Sequence, residues 1–170
     1  MSKDTPEICI AFYSRSGHSR RLAAKLAEEL NADKVEITAP KYSNRILGYI
    51  RAGFDSLRQK GALGSQTFGA LTKYRHVILV GPVWTSYPAV PLRALMRQGD
   101  ALPQVVSIFL TSGAHSPPEK AFAAGVSDLG RRFVATGALP NSAEGTAQEN
   151  RTISSFLSEL QEPGGLISRN

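Results

Sequence analysis

Ile8-Cys9-Ile10-Ala11-Phe12-Tyr13 runs directly into Ser14-Arg15-Ser16-Gly17-His18-Ser19, and Leu22, Ala23, Leu26, Ala27 and Leu30 then follow at helical spacing. An apolar run without polar alternation suits a central strand covered on both faces. The spacing after the turn predicts an amphipathic helix. The same strand–loop–helix order returns along the chain. Residues 76–80 lead into Gly81-Pro82-Val83-Trp84-Thr85-Ser86-Tyr87-Pro88, then a helix from Pro88 or Pro91 to Gly99, a C-terminal glycine. Residues 105–110 lead into Thr111-Ser112-Gly113-Ala114-His115. Ser116-Pro117-Pro118-Glu119 has the capping-box pattern, with Pro117 in the first helical position. Phe122, Val126 and Leu129 line that helix and Gly130 ends it.

Two weaker strands and two further helices complete the pattern. Residues 34–37 alternate as an edge strand does, and residues 133–139 form the other weak strand. Tyr42, Ile46, Tyr49, Ile50, Phe54 and Leu57 line one helix, and Ile153, Phe156, Leu157 and Leu160 the last; residues 61–74 read as a glycine-containing connection. Five β-α repeats imply a five-stranded parallel sheet with helices on both faces, because parallel strands require crossover connections. The strand order expected is 2-1-3-4-5. It makes the first, third and fourth strands central, and those carry the purest apolar runs.

At 170 residues, with no repeat or long low-complexity tract, the chain reads as one α/β domain spanning 1–170. Hydrophobic residues at 42% and charged residues at 20% exclude wholesale disorder. No apolar run is long enough for a membrane span, and the N-terminus lacks the features of a signal peptide. One cysteine excludes an internal disulfide framework and any multi-cysteine metal site, so the reading is cytoplasmic. Residues 1–99 hold 15 Lys/Arg against 7 Asp/Glu, or +8, whereas residues 100–170 hold 5 against 7, or −2. The basic half favours anionic partners. It lacks the aromatic interleaving of a nucleic-acid groove, so no nucleic acid is expected.

In a doubly wound sheet, ligands bind outside the carboxyl ends of the strands, near the point where strand order reverses. Ser14, Ser16 and Ser19 with Gly17 and a following helix N-terminus suit a phosphate, with Arg15 as a nearby cation. Trp84 and Tyr87 are placed to wall a flat apolar slot. Ser112 and Gly113 can bring backbone donors toward a polar edge. His18 and His115 sit on these loops as hydrogen-bonding or proton-delivering candidates, or as exposed loop histidines. Three histidines without a spacing motif make no metal site. Cys9 and Arg15 stand at the spacing of a phosphatase signature, but the residues between read as straight strand, which makes Cys9 a small apolar filler. No Walker-type or Gly-x-Gly-x-x-Gly motif occurs, and no strand end carries the carboxylate of a phospho-acceptor domain.

These three loops, in order, resemble those of the flavodoxin family. Tyr13-Ser14-Arg15-Ser16-Gly17-His18-Ser19 is similar to its phosphate-binding loop; residues 81–93 resemble the loop whose aromatic residue lies against the flavin; Thr111-Ser112-Gly113-Ala114-His115 resembles the third loop. The resemblance covers almost the whole chain. It implies a flavodoxin-like three-layer sandwich with FMN as cofactor. Ser14, Arg15, Ser16, Gly17, His18 and Ser19 would hold the phosphate. Pro82, Val83, Trp84, Thr85, Ser86 and Tyr87 would flank one side of the ring, and Thr111, Ser112, Gly113 and Ala114 the other. No side chain is assigned a catalytic role. The implied activity is electron transfer through bound FMN to a redox partner protein. The alternatives are an NAD(P)H-dependent flavin or quinone oxidoreductase on the same scaffold and a flavin-free regulatory or binding module. Donor, acceptor and oligomeric state stay open.

Two departures stand out. Many flavodoxins carry a glycine in the second loop, where a peptide turns over to meet the reduced ring; Thr85-Ser86 stand here. A left-handed conformation costs a residue with a side chain about 1–2 kcal/mol. Weaker stabilisation of half-reduced flavin than in a dedicated one-electron carrier is therefore expected. The family's carriers are also commonly acidic around the flavin, and this chain is basic.

Overall fold

The computed structural model describes residues 7–39, 69–113 and 117–161. The helix expected over Tyr42–Leu57, part of the 61–74 connection, and Ala114, His115 and the Ser116 cap lie outside the described residues. The elements are β1 (Ile8–Phe12), α1 (His18–Leu30), β2 (Asp33–Glu36), a 3-10 turn (Gly69–Lys73), β3 (His76–Trp84), β4 (Tyr87–Pro88), α2 (Val90–Met96), a second 3-10 turn (Gly99–Ala101), β5 (Val105–Ser112), α3 (Glu119–Leu129), β6 (Thr136–Pro140), a third 3-10 turn (Asn141–Ala143) and α4 (Ala147–Gln161).

The sheet order is β2-β1-β3-β5-β6, all parallel, with β4 antiparallel to β3. Without β4, the five parallel strands stand in the expected order 2-1-3-4-5. The strand count is corrected to six because β3 does not stop at Val80. Gly81 and Pro82 continue the pairing with Leu110 and Thr111 of β5, and the chain then folds back, Val83 opposite Pro88 and Trp84 opposite Tyr87. Pro82 has no N–H to give, but its carbonyl accepts the Ala89 N–H at 2.8 Å.

Although β1 is apolar throughout, its side chains alternate between two cores. Cys9, Ala11 and Tyr13 pack with Leu92, Leu95, Met96 and Ala121, from α2 and α3. Ile10 and Phe12 pack with Leu22, Leu26, Phe156 and Leu160, from α1 and α4. Phe109 of β5 meets Phe156 edge-on at 4.9 Å. Cys9 is fully buried, and burial pushes its thiol up to about 12. A reactive thiolate has no place there.

Besides shifts of one or two residues at the ends of β2, β5 and β6, three helix and strand ends differ from expectation for a local reason. α2 stops at Met96 because Arg97 closes the last turn on Arg93, so Gly99 opens a 3-10 turn and does not cap the helix. α3 starts at Glu119 with Pro118 at its N-cap, leaving Pro117 ahead of the helix. β6 begins at Thr136, not Phe133, because Phe133 packs into the α2–α3 core.

His76 opens β3 and is buried at the sheet edge opposite the 14–19 loop. Its Nε2 lies 2.9 Å from Ser107 Oγ, which also accepts the Ala135 N–H, and its Nδ1 has no partner. Burial lowers the imidazole from 6.5 to about 4. Between those values the unfolded chain binds a proton that the folded chain refuses. Stability is therefore complete above pH 6.5 and falls as pH drops toward 4, by up to about 3 kcal/mol. Urea midpoints measured from pH 7 to pH 4.5 should fall steadily, and His76→Gln should flatten that fall.

Candidate functional site

In-register parallel strands bring three loops to one edge. Phe12 stands beside Val80 and Val80 beside Phe109, so β1, β3 and β5 reach their carboxyl ends together. The Tyr13 N–H extends the β1–β3 ladder to Val80 O at 2.9 Å. The chain then turns through Ser14–Ser16 into α1.

Gly17 is the N-cap of α1 at φ +101°, in the left-handed region that suits glycine. Its N–H is donated to Ser14 Oγ at 3.2 Å, and its carbonyl accepts the Arg21 N–H at 3.0 Å. No side chain caps the helix and no acidic residue occupies its first turn. The amides that open a helix of 13 residues thus face the edge without a carboxylate of their own, a good setting for an anion. Ser16 is exposed and Arg15 half-buried.

Two predicted phosphate-loop side chains are already engaged. Ser19 is buried, and its hydroxyl lies 2.7 Å from that of Thr111, joining the first loop to the third. His18 is paired with Glu144, with Nδ1 2.6 Å from Oε2. The other Glu144 oxygen lies 3.2 Å from Arg21 Nε. Arg21 also forks onto Glu149, at 2.5 and 3.0 Å. Glu149 is almost wholly buried and also accepts from Lys25 at 3.3 Å and from the Gly145 N–H at 3.0 Å. The Arg21 guanidinium holds its carboxyl down at about 2. Sequence reasoning missed Glu144 and Glu149. They lie 126 and 128 positions from His18 and Arg21, and no local spacing announces the pairing.

The second loop is a two-residue hairpin. Trp84 meets Tyr13 edge-on, centroids 5.5 Å apart and planes at 88°, and packs beside Val90. The indole is half-buried at the edge where α1 begins. Thr85 and Ser86 have φ of 48° and 68°. Positive φ at both central residues is the type I′ arrangement that matches strand twist. The strain expected from side chains at these positions is therefore present in the resting turn; Thr85 Oγ1 donates to Trp84 O at 2.8 Å. A Cβ at Gly81 would stand 2.3 Å from Leu92 Cδ1, so glycine lets α2 close against the strand below the hairpin.

Tyr87 is drawn toward the helices. Arg93 Cζ and Lys120 Nζ each lie 5.0 Å from its ring centroid, and Arg93 is buried and paired with Asp128. The two loop aromatics thus have different partners, Trp84 the tyrosine of the first loop and Tyr87 cations of α2 and α3. In the third loop Thr111 is buried, Ser112 half-buried and Gly113 exposed. Pro82 and Val83 are half-buried. Among the described residues, no cluster of His, Cys, Asp or Glu could hold a metal, and no helix is long and apolar enough to cross a membrane.

The fold agrees with that of solved structures of low sequence identity. A flavoprotein from Lactobacillus acidophilus, solved in complex with FMN, is 18% identical and superimposes with a TM-score of 0.63 over 88% of this chain and 97% of that one. A Bacteroides uniformis structure described as a flavoprotein gives 0.71 at 21% identity, over 87% and 96%. The chain has the flavodoxin-like fold. A Trp repressor binding protein from Bacillus subtilis shares this flavodoxin-like arrangement at 12% identity and a TM-score of 0.57, over 91% and 98%. No family model and no curated protein matches the sequence.

The strained hairpin makes a direct prediction. Thr85→Asn with Ser86→Gly installs the residues that a type I′ turn favours. The double variant should gain about 1 kcal/mol, the relief of two left-handed side chains less the added freedom of glycine in the unfolded chain. A rise in the urea midpoint at unchanged slope would show it; a fall would contradict the strain assignment.

Proposed function

We propose that the chain binds FMN at this edge and transfers electrons through it. The observation that carries the reading is one juxtaposition. An uncapped helix N-terminus without an acidic first turn opens at the same sheet edge as a half-buried indole on a strained hairpin. A phosphomonoester needs the first, and a flat aromatic ring system needs the second.

The donor set fits the group. The amides of Gly17, His18 and Ser19, the hydroxyls of Ser14 and Ser16 and the charge of Arg15 would hold the phosphate, with the Ser19–Thr111 contact fixing that loop against the third. Pro82, Val83, Trp84, Thr85, Ser86 and Tyr87 would flank one side of the ring, with Trp84 as the stacking surface. Thr111, Ser112, Gly113 and Ala114 would flank the other. Bound FMN supplies the redox chemistry, and the protein orients it and excludes water from one face. No side chain acts as a nucleophile in this reading, and the thiol of Cys9 is shut inside the sheet.

Titration with FMN is the test. Trp84 is the one tryptophan of the chain, so its emission reports the site alone. Micromolar FMN should quench both that emission and the flavin's own fluorescence. Riboflavin, which lacks the phosphate, should bind roughly tenfold or more weakly, the loss of charge-assisted hydrogen bonds. Unchanged emission from both chromophores would overturn the reading. In steady-state assays with NAD(P)H and a quinone, a carrier should turn over almost nothing without a separate reductase; sustained turnover would make the protein an oxidoreductase.

A further inference from the structure

Ser19 and Thr111 stand 92 positions apart and meet as two hydroxyls, Oγ to Oγ1 at 2.7 Å. Ser19 is the second residue of α1, and Thr111 the last but one of β5. Both are buried, at 2% and 3% exposure. Pro82 and Leu139 flank Thr111 in the sheet, and neither side chain can accept a hydrogen bond. Among the described residues no second side chain or carbonyl stands against either hydroxyl. Two hydroxyls bring two protons, and only one of them lies between the oxygens. The other is left to be given outside the pair.

Either oxygen can be the donor of the bond that joins them. A bound anion settles the direction. A phosphomonoester dianion offers acceptors and no donor, so a Ser19 hydroxyl that donates to it has no proton left for Thr111. Thr111 must then donate to Ser19 Oγ. Ser19 lies in the turn whose amides form the proposed phosphate site, whereas Thr111 is held in a strand paired on both sides. The helix residue is therefore the outward donor and the strand residue the fixed one behind it.

We infer that Thr111 is a positioning residue for the phosphate, donating to Ser19 Oγ and so turning the Ser19 hydroxyl proton toward the dianion. The inference rests on the FMN reading and gives Thr111 a role at the phosphate besides flanking the ring. Hydrogen bonds in a chain polarise one another, which makes the Ser19 hydroxyl a stronger donor. The relay favours a group that only accepts, a phosphomonoester, over an alcohol that must place a proton of its own.

The test compares FMN and riboflavin dissociation constants, read by fluorescence, in Thr111→Val, Thr111→Ser, Ser19→Ala and the double variant Ser19→Ala with Thr111→Val. Urea midpoints of the ligand-free proteins establish that each is folded, and Thr111→Ala replaces Thr111→Val should that variant not fold. Ser19→Ala should weaken FMN about tenfold, and Thr111→Val, which keeps the shape without the hydroxyl, roughly three- to tenfold. Thr111→Ser, which restores the hydroxyl, should stay within about twofold of the unaltered protein, and riboflavin should change by less than about twofold throughout. Once Ser19 is alanine, Thr111→Val should cost FMN nothing more, because Thr111 acts through Ser19. Equal losses for FMN and riboflavin would make the contact a tie between loops and overturn the inference. Additive losses in the double variant, no rescue by Thr111→Ser, or unaltered FMN affinity in Thr111→Val would overturn it too, with FMN binding intact. Failure of the unaltered protein to bind FMN overturns the binding reading and the relay together.

Discussion

Everything at the candidate site depends on one geometric constraint: parallel strands in register must send all their carboxyl ends to one edge. β1, β3 and β5 lie side by side with Phe12, Val80 and Phe109 at one level, so the loops that leave them cannot avoid each other. The crossovers bury both faces of these strands, which is why their sequences are apolar without alternation. Residues that chemistry needs are left for the loops, and the rigid sheet fixes how far apart they stand.

Contacts between the loops tighten that arrangement. Ser19 and Thr111 share a buried hydroxyl contact, and Tyr13 meets Trp84 edge to face. The hairpin at Thr85-Ser86 holds two side chains in left-handed backbone, a strain that persists because β3, β4 and the cation pair around Tyr87 fix both arms. α1 is held from the opposite direction by the buried Glu149, whose bonds to Arg21, Lys25 and Gly145 bring the C-terminal helix to the first turn. A helix N-terminus held this way presents its amides in a preset direction, which lowers the ordering cost of taking up an anion.

What the sequence made legible was what local pattern encodes. Apolar runs marked the central strands, spacing marked α1, and Gly130 marked the end of α3 in a left-handed cap. The loops were legible because each follows a strand and carries unusual residues. The hairpin was not, since Gly81-Pro82 reads as a break and only pairing with β5 shows that β3 continues through it. Neither Gly99 nor Pro117 acted as its residue type suggests, because hydrogen bonding to Arg93 and the start of α3 at Glu119 decided those ends. At the site, Trp84 could be singled out in advance, whereas the divergence of Tyr87 toward Arg93 and Lys120 is a tertiary outcome. The pairing of His18 with Glu144 spans 126 positions and leaves no periodic trace in the chain.

The central claim is that the first turn of α1 and the indole of Trp84 receive the two ends of one molecule. Backbone and indole resonances in nitrogen-15 NMR spectra report both ends at once. On adding FMN, the account predicts the largest shifts at the amides of Gly17, His18 and Ser19 and at the Trp84 indole N–H, with the opposite edge around His76 and Ser107 unmoved. Shifts centred on that opposite edge, or confined to one of the two predicted ends, would contradict it.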